Sequence, residues 1–284
     1  EKRAYVKDFI YKAFSFSSKE GDLDSLLLAV DAKADKLKNE YRACTEQEKD
    51  AIADYQHDFL VRFAHGSSSI EGSTLTPIQT ALVVEGEFIP SDDKEVRDMF
   101  TTKGCYEGYD YMLRALEKNR KLDEDLIKDI HERTALDCQP RSRGVYRVSP
   151  VYITGSKTVP ASALKIREYM ADLLFAFNNS SQHPLIRASA FHAVFEAIHP
   201  FRDGNGRCGR TLLNFMLLQQ GYSPIAIKAD DRMGYLNDLE TWQTENNPIP
   251  FIERVASCVS KETSLIIDAI QQTRDCVMNE QKHL

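Results

Sequence analysis

The amino-acid sequence predicts an all-α fold that carries one small β-hairpin flap. Apolar residues recur at helical spacing along most of the 284 residues, and Pro, Gly or Asn stands where these runs end. β-Branched and aromatic residues are concentrated in a single short region, which is too small to form a sheet. At this length folding buries roughly 70–75% of the unfolded surface, so the fold needs no disulfide bond to be stable.

The first half of the chain is predicted to be helical. Leu27, Val30 and Leu37 lie near one face of the first predicted helix, as expected of an amphipathic segment. Pro77 fits the first position of a helix that Thr76 caps, because proline lacks the N–H group that would have no partner there. Helices are predicted over residues 25–43 and 45–63, from Pro77 onward, and over 91–119 and 123–136.

The β-like region lies in the middle of the chain. Residues 144–148 and 151–155 are rich in Val, Tyr and Ile, and Ser149 and Pro150 separate them, so a hairpin is predicted. A hairpin of this size is either a functional flap or plain packing decoration. The rest of the chain returns to helical periodicity, with helices predicted over residues 162–178, 184–198, 207–220, 231–244 and 249–272.

Composition disfavours several classes of protein. The chain has 36 Lys and Arg against 43 Asp and Glu, and this net charge of -7 predicts no nucleic-acid partner. Its six cysteines form no C-x-x-C pair, which argues against a zinc site or a disulfide framework. The sequence has no 18-residue apolar run and no apolar signal core at its start. We therefore expect a cytoplasmic protein that does not bind membranes.

The most informative segment runs from residue 191 to residue 210. Pro200 disfavours helical geometry at His199, so this histidine is expected where a helix passes into a loop. The loop that follows is rich in glycine and leads into another helix, whose N-terminus offers unpaired backbone N–H groups suited to a phosphate. Arg207 and Arg210 add guanidinium groups in the first turn of that helix.

Two other interpretations of this segment were weighed. Gly204, Gly206 and Gly209 match the dinucleotide-binding fingerprint, but that motif requires a preceding strand and here a helix precedes it. His192, Glu196 and His199 share one predicted helical face and resemble a set of two histidines and one carboxylate for a metal ion. Their spacing is not H-E-x-x-H, Pro200 disturbs the geometry of His199, and such residues are more often hydrogen-bonded to neighbours on a helix face.

The run His-Pro-Phe-Arg-Asp-Gly-Asn-Gly-Arg-Cys-Gly-Arg, residues 199–210, resembles the Fic family signature HPFx[D/E]GNGRxxR at every defining position. The resemblance covers roughly residues 96–260. It implies a Fic-type helical bundle that transfers AMP from ATP to a hydroxyl of a target protein and releases pyrophosphate. Doc-type kinases, which move another group, depart at these glycine positions, so AMP is the favoured group.

The resemblance also implies a role for each site residue. His199 would be the general base that takes the proton of the attacking Ser, Thr or Tyr hydroxyl. Asp203 would hold Mg²⁺, with Mn²⁺ as an alternative ion. The phosphate-binding set would comprise Gly204, Asn205 and Gly206 through the loop, Arg207 at the β-phosphate and Arg210 at the γ-phosphate, with Tyr235 near the adenine.

Two further elements have expected roles. Ser67 and Glu71 match the family's inhibitory motif [S/T]xxxE[G/N]. A Glu71 carboxylate against Arg210 would occupy the guanidinium group that the γ-phosphate of ATP needs. The flap would dock the hydroxyl-bearing target protein by β-strand addition, through Val151, Tyr152, Ile153, Thr154 and Gly155.

The expected organisation has three parts: an N-terminal helical region with the inhibitory helix over residues 1–95, a catalytic core over 96–260, and a C-terminal helix over 261–284. That last helix is expected either to pack on the N-terminal region or to form a homodimer seam. The first functional hypothesis is a self-inhibited protein adenylyltransferase. The alternatives are a de-AMPylase that uses Glu71 to position water, and a nucleotide-sensing interaction module without catalysis.

Overall fold

The computed structural model describes residues 4–16, 21–153 and 156–282, and within them it forms eleven α-helices and no β-strand. The all-α prediction is confirmed. The helices are α1 (Ala4–Phe14), α2 (Gly21–Ala43), α3 (Glu46–Ile70), α4 (Pro77–Glu85), α5 (Asp93–Glu117), α6 (Glu124–Thr134), α7 (Ile166–Asn179), α8 (Pro184–Ile198), α9 (Asn205–Gln219), α10 (Arg232–Glu245) and α11 (Ile249–Lys282).

Local capping explains several of the predicted starts. The Thr76 side chain accepts from the Gln79 N–H, the Gln79 side chain accepts from the Thr76 N–H, and Pro77 occupies the first turn of α4. The same reciprocal pair joins Thr45 and Glu48 at the start of α3. These capping boxes satisfy backbone donors that the first turn of a helix leaves unpaired.

Helix α8 is the centre of the molecule. Every residue from Ala188 to Ile198 is buried, and helices α1, α7, α9, α10 and α11 pack around it. A helix that is apolar on all sides is stable only in such a position, which explains why its sequence shows almost no polar face. Because α8 is enclosed, its C-terminal residue His199 is held at a fixed place at the end of the core.

Three helices differ clearly from the predictions, and one of them is α11, which continues ten residues beyond its predicted end at residue 272. Helix α1 was not predicted, yet its Phe9, Ile10 and Ala13 are buried against α7 and α8. Helix α3 extends to Ile70, beyond the predicted end at residue 63, through a stretch of serines with poor helix propensity. Packing against α5, α9 and α11 stabilises this extra length, which carries Ser67 to the site described below.

The predicted hairpin is corrected over the described residues. Residues 144–153 form no strand pairing, and Thr154 and Gly155 lie outside the described residues. Residues 146 and 147 contact the core and do not pair with the segment that follows them. The Arg147 N–H donates to the Pro200 carbonyl (2.9 Å), and the Tyr146 ring packs against Phe201. We call residues 148–160 the flap segment.

Helix α11 packs against the N-terminal helices. Ile266 and Ile270 are buried in a small apolar cluster with Leu37 of α2 and Ile52 of α3. This confirms the packing interpretation for these two residues, while the homodimer remains a prediction. Among the described helices, none combines the length and the apolar composition that a membrane crossing requires.

Candidate functional site

His199 ends α8 in left-handed backbone geometry, with φ of 52° and ψ of 61°. Its backbone N–H still donates to Phe195 O (2.8 Å), and its ring Nδ1 lies 3.2 Å from Glu196 O. A carbonyl oxygen only accepts, so Nδ1 carries the proton and Nε2 keeps a free lone pair. The local backbone therefore fixes the tautomer in which Nε2 can accept a proton.

The His199 ring is largely buried, with 19% of its side chain exposed. Burial lowers the pKa of His199 to about 4, although its bond to Glu196 O and the nearby Glu71 carboxylate act in the opposite direction. At neutral pH the imidazole is consequently uncharged and available as a base.

The loop after His199 is held by one buried side chain. Asn205 accepts from the Phe201 N–H (2.8 Å) and donates to Phe201 O (3.0 Å), which closes the loop on itself. Gly204 has a φ of 76°, and no side chain caps the helix that begins after it. The N–H groups of the first turn of α9 therefore have no intrahelical partner, and together they form a seat for an anion.

His131, which the sequence analysis missed, holds the loop after His199 in place. Its ring stacks on Phe201 with centroids 3.6 Å apart, its Nδ1 accepts from the Gly144 N–H (2.9 Å), and its Nε2 donates to Asp203 O (2.8 Å). Burial lowers the pKa of His131 to about 4. The available signal was its helical spacing with Ile127, Ile130 and Thr134 on the buried face of α6.

Arg207, expected at the β-phosphate, is buried and already paired. Both of its terminal nitrogens bond to the carboxylate of Asp137, one at 3.2 Å, and one of them also donates to Thr134 O (3.1 Å). The two side chains are 2% and 4% exposed. Asp137 was missed because nothing in its neighbourhood in the sequence marks it as a partner for a residue seventy positions away.

Arg210, expected at the γ-phosphate, contacts both residues of the predicted inhibitory motif. Its Nε–H donates to Ser67 Oγ (2.9 Å), and one terminal nitrogen donates to Ser67 O (2.9 Å) and to Glu71 Oε1 (2.7 Å). Arg232 also holds the end of α3, because its Nε–H donates to Ile70 O (2.7 Å). The predicted contact between Glu71 and Arg210 is present in the structure, and the contact of Ser67 with Arg210 is an additional one.

The Glu71 carboxylate lies over the anion seat of α9. A Cβ atom added to Gly206 would be only 2.4 Å from Glu71 Oε1, so the carboxylate reaches the first turn of the helix because residue 206 is glycine. Burial alone would raise the pKa of Glu71, but the charges of Arg210 and Arg207 hold it below its usual value. Glu71 is therefore ionised at neutral pH.

Two predictions concern the surroundings of His192: that Tyr235 lies near the adenine, and that His192 belongs to a metal site. The Tyr235 hydroxyl bonds to His192 Nε2 (2.8 Å), and the Tyr235 ring is buried beneath Arg210, whose guanidinium carbon lies 5.9 Å from its centroid. Tyr235 is thus part of the core around Arg210. Within the described residues, the ligand atoms of Asp137, Cys138 and Asp203 gather within 4.8 Å of one another, whereas those of His192, Glu196 and His199 do not, so the geometry does not favour that trio as a metal site.

Glu196 is instead a buried neighbour of the candidate base. Its Oε2 lies 3.7 Å from His199 Nδ1, and its Oε1 has no hydrogen-bond partner among the described residues. Burial raises the pKa of Glu196 to about 8, so at neutral pH it is mainly a neutral carboxylic acid.

Asp203 has the properties that a hard divalent cation requires. Its side chain is 55% exposed, Oδ1 accepts from the Gly204 N–H (2.7 Å), and Oδ2 has no hydrogen bond to a described residue. Oxygen atoms of Asp203 and Asp137 and the sulfur of Cys138 lie within 4.8 Å of one another. An exposed carboxylate next to the anion seat of α9 suits Mg²⁺ or Mn²⁺.

The flap segment runs next to this loop. Tyr152 is 88% exposed, Val151 and Ile153 are half-buried, and Thr154 and Gly155 lie outside the described residues. Its docking role stays a prediction.

A family model described as Fic/DOC family matches residues 121–217. Among curated relatives, protein adenylyltransferase Fic of Nematostella vectensis is 32% identical over 201 residues, which are 69% of this chain and 46% of the relative. The protein of that name from Drosophila virilis is 27% identical over 242 residues, which are 85% of this chain and 48% of the relative. The chain spans about half the length of these relatives.

Solved structures share the fold. A Fic domain containing signaling protein from Bacteroides thetaiotaomicron matches with a TM-score of 0.73 and 26% identity, over 84% of this chain and 98% of that chain. Fic-1 from C. elegans matches with a TM-score of 0.75 and 22% identity, over 87% of this chain and 71% of that chain. With the complete motif from His199 to Arg210, these findings show that the chain belongs to the Fic/DOC family.

Proposed function

We propose that the chain is a self-inhibited protein adenylyltransferase, which transfers AMP from ATP to a Ser, Thr or Tyr hydroxyl of a target protein and releases pyrophosphate. The observation that carries the proposal is the position of the Glu71 carboxylate, which bonds to Arg210 and reaches the N-terminal turn of α9. A built-in anion in that seat implies that the seat's own ligand is anionic, as the phosphates of ATP are.

The chemistry requires a base, and His199 meets the requirement. Its Nε2 lone pair would accept the proton of the target hydroxyl, whose oxygen then attacks the α-phosphorus while the bond to pyrophosphate breaks. The resulting imidazolium has a partner at hand, because the Nδ1–H already donates to Glu196 O. Several family relatives carry the name protein adenylyltransferase, which supports this reaction.

The remaining residues would bind and orient the nucleotide. The first-turn N–H groups of α9, with Gly204 and Gly206 leaving room for their approach, would hold the phosphates, and Arg210 would turn from Glu71 to the γ-phosphate. Asp203 would hold a divalent cation, which supplies charge neutralisation between the α- and β-phosphates. Asn205 contributes by closing the loop, since both polar atoms of its side chain bond to Phe201.

The N-terminal helices would act as the regulator and residues 96–260 as the catalytic core. Ser67 and Glu71 lie at the end of α3, so any movement of this helix away from α9 would free Arg210. The reverse reaction, removal of AMP by a water molecule that Glu71 positions, is a second candidate because Glu71 is ionised and 32% exposed.

The reaction is tested by supplying ATP labelled at either the α- or the γ-phosphate to the Glu71→Gly variant in a lysate, with Mg²⁺. AMP transfer predicts protein labelling from the α-labelled nucleotide alone, and the labelled band identifies the target. Glu87→Gly, which removes an exposed carboxylate outside the site, is the matched control and should label no more than the unmodified protein. Labelling from the γ-position would instead indicate phosphoryl transfer, and no labelling would contradict the proposal.

A further inference from the structure

Arg147 stands at the point where the flap segment leaves the core. Its side chain is 5% exposed, and it was not singled out by the sequence analysis. Its Nε–H donates to His199 O (2.8 Å), and one terminal nitrogen donates to Ser149 O (2.9 Å). The other terminal nitrogen donates to Ala161 O (2.6 Å) and Ile198 O (3.3 Å).

All of these acceptors are carbonyl oxygens, and no carboxylate within the described residues forms a salt bridge with Arg147. A buried cation without a counter-charge is costly, and burial lowers the pKa of Arg147. The planar guanidinium has five donors in a fixed fork, which a lysine could not reproduce. The arrangement therefore depends on geometry rather than on ion pairing.

The acceptors belong to two parts of the molecule. Ile198 and His199 end α8, where carbonyl groups lack intrahelical partners and a cation is favourable. Ser149 lies near the start of the flap segment, and Ala161 directly follows its last residue. One guanidinium group thus joins both ends of the flap to the backbone of the candidate base, which is itself in left-handed geometry that is unfavourable without support.

We propose that Arg147 is a positioning residue that couples the flap to His199: it fixes the left-handed backbone of the base while it holds both ends of the flap. The inference rests on the proposed function for its role in transfer. Binding of a target on the flap is thereby transmitted to the orientation of Nε2 through a single side chain. A loss of this fork should disturb the flap and the base together.

The downstream part of the flap has a second anchor that does not touch His199. Glu240 of α10 accepts from the Lys157 N–H (3.0 Å) and from the Ser156 hydroxyl (3.2 Å). Loss of the Glu240 charge should loosen the flap without reaching the base. Glu240→Gln is therefore a matched control for Arg147.

The test compares Arg147→Lys, Arg147→Met and Glu240→Gln in the Glu71→Gly protein, with MgATP as the probe. Three quantities are measured: hydrogen exchange of flap amides, the NMR signals and titration of the His199 ring, and the rate of AMP self-labelling at saturating ATP. We expect both Arg147 variants to speed flap exchange, shift the His199 titration and lower the labelling rate about ten-fold or more, since small misplacements of a base are costly. The KM for ATP should change less than three-fold.

Glu240→Gln should speed flap exchange and leave the His199 titration unchanged. Arg147→Lys keeps the charge and is the variant of choice if Arg147→Met does not fold, as thermal unfolding will report. Coupling is contradicted if the Arg147 variants loosen the flap while the His199 titration is unaltered, or if Glu240→Gln shifts that titration equally. Absence of self-labelling in the Glu71→Gly parent would instead contradict the proposed function, and the exchange and NMR measurements would still decide the role of Arg147.

Discussion

At the scale of single residues, the site is built from buried polar groups whose partners come from distant parts of the chain. Arg207 depends on Asp137, Arg210 depends on Ser67 and Glu71, and His131 fixes the loop through Asp203 O. Each of these contacts joins a helix to a loop or to the end of another helix. A buried charge that loses its partner is strongly destabilising, so such pairs can be tested by stability as well as by activity.

Replacing Asp137 by alanine should leave buried Arg207 without its hydrogen-bonded carboxylate, and only the exposed Asp203 carboxylate, 3.7 Å away, would remain as an ion-pair partner among the described residues. We expect the free energy of unfolding to fall by about 3–5 kcal/mol, measured by urea denaturation. Asp110→Ala, which removes the partner of Arg114 in an exposed pair with side chains 40% and 59% accessible, should cost less than about 1 kcal/mol. Equal losses of unfolding free energy in the two variants would show that the buried Asp137–Arg207 pair contributes no more to stability than the exposed pair.

At the scale of elements, α3 positions Ser67 and Glu71, the residues proposed to inhibit, because Gly66 allows close approach to the chain at Ile227. A Cβ atom at residue 66 would lie 2.1 Å from the Ile227 carbonyl oxygen, a backbone atom that cannot simply rotate away. Gly209 instead leaves room for side chains of α8, since a Cβ atom there would lie 2.4 Å from Glu196 Oε1 and 3.1 Å from a ring carbon of His192. Glycines in these helices therefore set the distances between elements.

Gly66→Ala should push the end of α3 away from α9, because the added methyl group overlaps Ile227 O. We expect a loss of stability of about 1–3 kcal/mol and a rise in AMP labelling, since Ser67 and Glu71 move off Arg210. Gly21→Ala, at a position with no atom within 4 Å of the new methyl group, is the control for glycine replacement in a helix. A destabilised Gly66→Ala protein with unchanged labelling would contradict the idea that helix position maintains the inhibition.

The elements also explain what could be predicted from the sequence. Helical periodicity and capping residues located most of the helices, and the local motif from His199 to Arg210 located the loop. The partners Asp137 and Arg147 could not be found, because their contacts depend on tertiary packing rather than on neighbours in the chain. The hairpin prediction failed over the described residues because Arg147 bonds to Pro200 instead of pairing with the following segment.

At the scale of the whole molecule, the interior holds three histidines and one glutamic acid in uncharged form. Burial lowers the pKa of His131 and of His199 to about 4 and that of His192 to about 3, and it raises the pKa of Glu196 to about 8. Between about pH 4 and pH 6.5 the unfolded chain binds protons at these three histidines, whereas the folded protein does not. Between pH 4.5 and 8 the folded protein holds a proton on Glu196 that the unfolded chain lacks.

Stability should therefore be greatest between about pH 6.5 and 7. From pH 6 to pH 5 the three histidines outweigh Glu196 by up to about two protons, so the free energy of unfolding should fall by up to about 2.7 kcal/mol per pH unit. From pH 6.5 to pH 8 it should fall because the advantage from Glu196 is lost. Urea denaturation at pH 5, 6.5 and 8 measures both limbs, and Glu196→Gln should remove the alkaline one. A flat profile would contradict the uncharged core.

The central claim concerns the whole chain: it transfers AMP with His199 as the general base, and the Glu71–Arg210 contact restrains this reaction. The most direct test is intact mass spectrometry of the purified protein after incubation with MgATP. We predict that Glu71→Gly accumulates AMP adducts at least ten-fold faster than the unmodified protein, an effect on the order of 1–3 kcal/mol, and that adding His199→Ala abolishes them. No adduct in the Glu71→Gly protein, or adducts that persist without His199, would contradict the account.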